Sequence, residues 1–149
     1  MTPTLLQSSS STETATAVAA SRVLIVDDQI DVAEFLAEIL RLVGYEAFSE
    51  SNPQHALERL EDESFDLIIS DFKMPELGGF EFYQAVVAVR PSMASRFVFL
   101  TGDLSNFETA SLLKSSGVPV IAKPFRLATV EKTLSSILTS PAPSLPPDR

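Results

Sequence analysis

Five short apolar runs alternate with five stretches of helical period, and this alternation restricts the fold more than any other feature of the 149-residue chain. The runs are Arg22 to Val26, Tyr45 to Ser49, Asp66 to Ser70, Arg96 to Leu100 and Val118 to Ala122. The third has a continuous apolar centre, Leu67-Ile68-Ile69, as suits a strand buried on both faces of a parallel sheet. After the first run, Val32, Leu36, Ile39, Leu40 and Val43 recur at helical spacing until Gly44, a natural C-terminal cap. Asn52-Pro53 supplies an N-cap and a first-turn proline for a helix to about Asp62. A third helix is expected from Phe80 to Val89, closed by Arg90-Pro91. Ser105 and Glu108 match a capping box for a fourth, which runs to Gly117. The last, Leu127 to Leu138, carries Leu127, Val130, Leu134, Ile137 and Leu138 on one face. Five βα units joined by right-handed crossovers give an α/β, doubly wound, five-stranded parallel sheet with helices on both faces.

What the runs end on is chemically specific. Asp27 and Asp28 follow the first, Asp71 the third, Thr101 the fourth and Lys123 the fifth. In a doubly wound sheet these ends face one rim, so three carboxylates, a hydroxyl and an ammonium converge there. Clustered carboxylates repel one another unless a hard cation joins them, and Mg²⁺ is the oxygen-seeking ion that works with phosphate. Lysine and hydroxyl complete an anion site of phosphoryl size, with Asp71 as the candidate nucleophile of an aspartyl phosphate. The Met74-Pro75 and Gly78-Gly79 pairs order the loop after Asp71.

Composition removes other classes. There is no cysteine and a single histidine, His55, so thiolate or His-based zinc sites and Ser-His-Asp catalysis are set aside. A formal charge of −9 and a pI near 4.5 oppose nucleic-acid binding. No secretory signal and no membrane span are evident, which makes a cytoplasmic protein the expectation. Residues 1–20, rich in Ser, Thr and Ala, are expected to be a disordered tail, residues 21–139 the folded domain, and residues 140–149 a Pro-rich tail.

The motifs LIVDD at Leu24 to Asp28, D-x-K-M-P with a later Gly at Asp71 to Gly79, LTG at Leu100 to Gly102 and KPF at Lys123 to Phe125 resemble those of the receiver domain of two-component response regulators. The resemblance extends from Arg22 to Leu138 and implies a flavodoxin-like strand order of 2-1-3-4-5. It implies Asp71 as phospho-acceptor, with Asp28, Asp71 and the backbone carbonyl of Lys73 as direct Mg²⁺ ligands and Asp27 acting through water. It also implies Thr101 as switch hydroxyl, Lys123 as phosphate contact, a cis Lys123-Pro124 peptide, and Gly102 as the small residue that leaves room for the phosphoryl group. The function implied is a phosphorylation-dependent switch that takes its phosphoryl group from a sensor or hybrid histidine kinase or a histidine phosphotransfer protein. It is not an enzyme apart from catalysing its own phosphorylation and dephosphorylation. With no output domain visible, readout is expected through a downstream protein or self-association by the fourth helix, fifth strand and fifth helix. FLTGD and SSGVPVIAKPF are also similar to receivers fused to hybrid kinases.

Some positions depart from the family pattern. Val120 stands where receivers usually have Tyr or Phe, which implies a shift at Thr101 and the fourth helix without an aromatic rotamer change. Arg126 replaces a helix-capping Asp, so a weaker start to the last helix is expected. A Lys73-Asp103 pair beside the site would restrict water and slow phosphate loss. His55 reads as a surface residue, Phe97 and Phe99 as core and Phe82-Tyr83 as helix packing, while Ile30 and Phe35 are either core or rim contacts for a phosphodonor protein, with core favoured for Phe35. Two other functions fit parts of the pattern: a phosphorylation-independent interaction module, and a phosphatase of the haloacid dehalogenase type. The second places its nucleophile in a D-x-D motif after the first strand.

Overall fold

Alternate residues of each strand enter two different apolar layers, which is what a sheet covered on both faces requires. In the computed structural model, which describes residues 21–102 and 104–139, the strands are β1 (Arg22–Val26), β2 (Glu46–Glu50), β3 (Leu67–Asp71), β4 (Phe97–Thr101) and β5 (Val120–Ala122). The helices are α1 (Ile30–Leu42), α2 (Pro53–Asp62), α3 (Gly79–Val89), α4 (Phe107–Ser116) and α5 (Leu127–Thr139), with a 3₁₀ turn at Pro91–Ser95. All strand pairs are parallel and the order is β2-β1-β3-β4-β5, as the resemblance implied. Val23, Ile25, Leu67, Ile69, Val98 and Leu100 face α1 and α5. Leu24, Val26, Ile68, Phe97 and Phe99 face α2, α3 and α4. The expected tails and Asp103, and with it the Lys73-Asp103 pair, lie outside the described residues.

Several boundaries differ from the sequence expectation by a residue or two, each for a local reason. Tyr45 still donates to the Leu40 carbonyl at 3.0 Å, so β2 begins at Glu46. Asp66 accepts from the Arg22 amide through its carboxylate at 2.8 Å, and the ladder starts only at Val23↔Leu67. Arg96 donates to Met93 O at 2.9 Å as the close of the 3₁₀ turn, which leaves Phe97 to open β4. In β5 the register runs from Phe99↔Val120 to Thr101↔Ala122; Pro119, with no amide N–H to give, joins only through its carbonyl, which accepts from the Phe99 amide at 2.9 Å. The α4 cap is Asn106, not Ser105: its side chain accepts from the Thr109 amide at 3.0 Å, and Gly117 closes the helix at φ 73.

Phe35 corrects a core expectation. Ala33, Leu36, Ala37 and Leu40 are the buried face of α1, and Phe35, one residue out of phase with them, is 58% exposed. Ile30 is also exposed, beside the acidic rim, whereas Phe97, Phe99 and Phe82 are fully buried and His55 is exposed, as expected. No helix among the described residues is long and apolar enough to cross a membrane.

The β2 side is closed by two arginines on two aromatic rings. Arg22 and Arg59 lie 4.6 and 5.1 Å from the Phe48 centroid and 5.0 and 5.5 Å from that of Phe65. Arg59 also binds Glu63 at 3.0 Å and Glu50 at 3.2 Å. Arg59→Ala is expected to lower stability by about 1–2 kcal/mol in urea titrations, and Arg59→Lys to recover only part of that, because a lysine lacks the planar fork.

Candidate functional site

The rim at the carboxyl ends of β1, β3, β4 and β5 collects the residues singled out in the sequence. Asp27 follows β1 and is 1% exposed. Its amide donates to Glu50 O at 3.1 Å, and its Oδ1 accepts from the Gln29 amide at 2.9 Å, so both backbone and carboxylate are fixed. Asp71 is the last residue of β3 and is buried, in register with Leu100 of β4, while Asp28 is exposed. Thr101 ends β4 and is buried; its carbonyl accepts from the Lys123 amide at 2.8 Å. That bond fixes where the lysine leaves β5, and the Lys123-Pro124 peptide is cis.

Lys123 Nζ lies 3.0 Å from Asp71 Oδ1 and 3.2 Å from Asp27 Oδ2. One ammonium therefore bridges two carboxylates from different strands. Oxygens of Asp27, Asp28 and Asp71 all fall within 4.8 Å of one another. Three carboxylates against one lysine leave residual negative charge, and the donors are all hard oxygens, which fits Mg²⁺ better than a thiol- or imidazole-seeking ion. Lys73 follows in the loop after Asp71 with its side chain exposed.

Burial raises the pKa of Asp71 above the ordinary carboxylate value; the hydrogen bond and charge of Lys123 pull it down, and the charges of Asp27 and Asp28 push it up, with a net rise. Burial lowers that of Lys123, but the hydrogen bonds and charges of Asp71 and Asp27 outweigh it, so the ammonium is held above its usual range. Because the Asp71 value is raised on folding, protonation favours the folded state. That contribution is complete below the unfolded value of 3.8 and is lost as pH rises through the raised one. In metal-free buffer, Asp71→Asn should therefore gain stability relative to wild type as pH is taken from about 3.5 to 7, read from urea midpoints. A difference constant across that range would contradict the raised pKa.

The loop after Asp71 is seated by a close approach of backbones. Phe72 donates to Leu100 O at 2.8 Å and Gly79 donates to Phe72 O at 2.8 Å. A Cβ at Gly79 would lie 2.5 Å from the Asp71 carbonyl and 2.7 Å from Phe72 Cα, both backbone atoms that cannot yield. Gly102 is under less constraint, since a Cβ there would make an ordinary 3.6 Å contact with Lys123 Cβ. Val120 is half-buried and packs against the layer containing Phe97 and Phe99.

Sequence reasoning missed the bridging of Asp27 by Lys123 and the Gln29 amide. The second had a signal, since an Asp in a turn leading into a helix commonly accepts from the amide two residues on.

Comparison with known proteins gives one answer. The family model described as response regulator receiver domain matches residues 23–135. The chain is 31% identical over 121 residues to the response regulator receiver protein CpdR of Brucella abortus, covering 78% of this chain and 96% of that one. Among solved structures, Vibrio cholerae chemotaxis protein CheY4 superposes with a TM-score of 0.70 at 32% identity, over 80% of this chain and 99% of that one. Thermotoga maritima response regulator TrrA, solved in complex with Mg²⁺-BeF, superposes with a TM-score of 0.68 at 26% identity, over 79% and 99% of the two chains.

Proposed function

Because the chain belongs to the response regulator receiver family of two-component signalling, we propose that it is a switch that accepts a phosphoryl group from a phosphohistidine onto Asp71. The observation that carries this is the bridging of Asp27 and Asp71 by Lys123 beside three carboxylates whose oxygens lie within 4.8 Å of one another. In the transfer an Asp71 oxygen forms the new bond to phosphorus as the donor's N–P bond breaks, and the electron pair returns to the imidazole. Lys123, already against Asp71, is placed to follow the negative charge onto a phosphoryl oxygen. Thr101, buried at the end of the neighbouring strand, is the hydroxyl that would bond another. Asp27, Asp28, Asp71 and the Lys73 carbonyl are the groups that would hold Mg²⁺, whose chemistry there is neutralisation of phosphoryl charge. The Mg²⁺-BeF complex of the Thermotoga relative supports that choice of ion.

The signal then leaves by protein–protein contact. Leu104, Phe107 and Leu112 present an exposed apolar surface on and before α4, which supports readout near that helix, through a downstream protein or self-association. The half-buried Val120 is a small side chain in place of an aromatic one, so the shift at Thr101 reaches α4 without a ring rotation. A sensor or hybrid histidine kinase or a histidine phosphotransfer protein is the donor class, and a cytoplasmic location goes with it. The adjacent Asp27-Asp28 after β1 does not reproduce the D-x-D of the dehalogenase-type phosphatases.

Addition of Mg²⁺ and beryllofluoride to ¹⁵N-labelled protein tests this reading. Amide shifts around Thr101 and from Leu104 to Ser116 are expected in wild type and not in Asp71→Asn. Unchanged spectra would favour the phosphorylation-independent interaction module.

A further inference from the structure

The residue before Asp71 is a polar side chain where the fold calls for an apolar one. Ser70 is 0% exposed, and strand alternation puts it on the face of β3 that carries Ile68 and Phe72, away from the rim. Its hydroxyl would be costly there without a partner, and it donates to the Asp71 carbonyl at 2.9 Å.

That carbonyl has an unusual place. The β1–β3 pairing stops at Val26↔Ser70, one residue short of Asp71. The Phe72 amide of the same peptide points to Leu100 on β4, so in a trans peptide the Asp71 oxygen is directed the other way, past the last rung of β1. The same oxygen is the atom that a Cβ at Gly79 would strike. The peptide joining Asp71 to Phe72 is thus held by Leu100, by the Ser70 hydroxyl and by the bare Cα of Gly79.

We propose that Ser70 is a positioning residue for phosphorylation: its hydroxyl fixes the rotation of the Asp71-Phe72 peptide, and through it the direction of the Asp71 carboxylate toward Lys123 and Asp27. Its side chain touches the Asp71 backbone, not the Asp71 carboxylate that would take the phosphoryl group and hold the metal. An alanine would fill the site almost as well for packing, so loss of the hydroxyl should cost the fold only the penalty of an unpaired Asp71 carbonyl, and well below the melting temperature should appear in the rate.

This rests on Asp71 being the acceptor, and the test separates the two. The 149-residue wild type, Ser70→Ala, Ser70→Thr, Ser70→Cys and Asp71→Asn are phosphorylated with acetyl phosphate and Mg²⁺ well below their melting temperatures. Maximal rate and half-saturating donor concentration are fitted separately. Ser70→Ala is expected to lose about fivefold in maximal rate with the donor dependence unchanged, as one net hydrogen bond would give. Ser70→Thr, which keeps the hydroxyl, should stay within about twofold of wild type. Equal rates for wild type and Ser70→Ala, or a Ser70→Thr as slow as Ser70→Ala, would overturn the proposal while Asp71 stands. If Ser70→Ala does not fold, Ser70→Cys, whose thiol is a weak donor, must be slower than wild type, and wild-type speed would overturn the proposal. Failure of wild type to take up phosphate, or uptake by Asp71→Asn equal to wild type, would overturn the acceptor assignment and this role with it.

Discussion

Lys123→Met is expected to slow Mg²⁺-dependent phosphorylation of Asp71 by about a hundredfold or more, the cost of removing a preorganised charge from a group-transfer site. Methionine keeps the length and most of the apolar stem, so what is lost is the ammonium 3.0 Å from Asp71 and 3.2 Å from Asp27. The variant should also separate two roles of the lysine. Without it, a 1% exposed Asp27 faces Asp71 with no cation between them, and the metal-free protein should lose about 1–3 kcal/mol. Mg²⁺ should restore that stability but not the rate, since the metal can neutralise the carboxylates yet leaves one phosphoryl oxygen without its partner. Stopped-flow phosphorylation with acetyl phosphate, beside thermal melts with and without Mg²⁺, checks both. A rate within about threefold of wild type would remove Lys123 from the transfer step.

Gly79→Ala should have the largest effect on the fold of any single methyl group added near the site. The new Cβ would stand 2.5 Å from the Asp71 carbonyl, 2.7 Å from Phe72 Cα and 2.9 Å from Phe72 O. None of these is the end of a flexible side chain, so either α3 moves off the sheet or the peptide after Asp71 rotates. Overpacking of this kind costs about 1–3 kcal/mol, set against the few tenths to 1 kcal/mol that alanine normally gains over glycine in a helix. The expected result is a net loss of about 1–2 kcal/mol in urea titrations, with phosphorylation slowed beyond what the remaining folded fraction explains. Gly117→Ala is a useful contrast. A Cβ there meets nothing within 4 Å, but the φ of 73 penalises it, so it should cost stability without touching the rate.

The architecture was legible because its signals are periodic. Five strand runs and five helical faces, each of the right length, leave few topologies once crossovers are right-handed. The strand-end residues were legible for a related reason: Asp27, Asp71, Thr101 and Lys123 each follow or end an apolar run, and a parallel sheet brings such ends to one edge. What the sequence did not disclose depends on phase or on contacts between distant segments. Phe35 looked like core by size, yet sits one residue out of phase with Leu36 and Leu40. The α4 cap fell to Asn106 because two good capping residues are adjacent and only the loop geometry chooses between them. The bridge from Lys123 to Asp27 spans 96 residues, and the seat of Gly79 on the Asp71-Phe72 peptide appears only when α3 is docked. Ser70 gave no periodic signal, since a small residue beside three apolar ones reads as strand.

The most direct measurement is phosphoryl transfer itself, from an autophosphorylated histidine kinase or phosphotransfer protein carrying labelled phosphate, to the wild-type chain and to Asp71→Asn in Mg²⁺ and in EDTA. Label should reach wild type only with Mg²⁺, be released by hydroxylamine as an acyl phosphate is, and be absent from Asp71→Asn. Label that persists in Asp71→Asn, or that appears equally in EDTA, would contradict Asp71 as the acceptor at an Mg²⁺-dependent site.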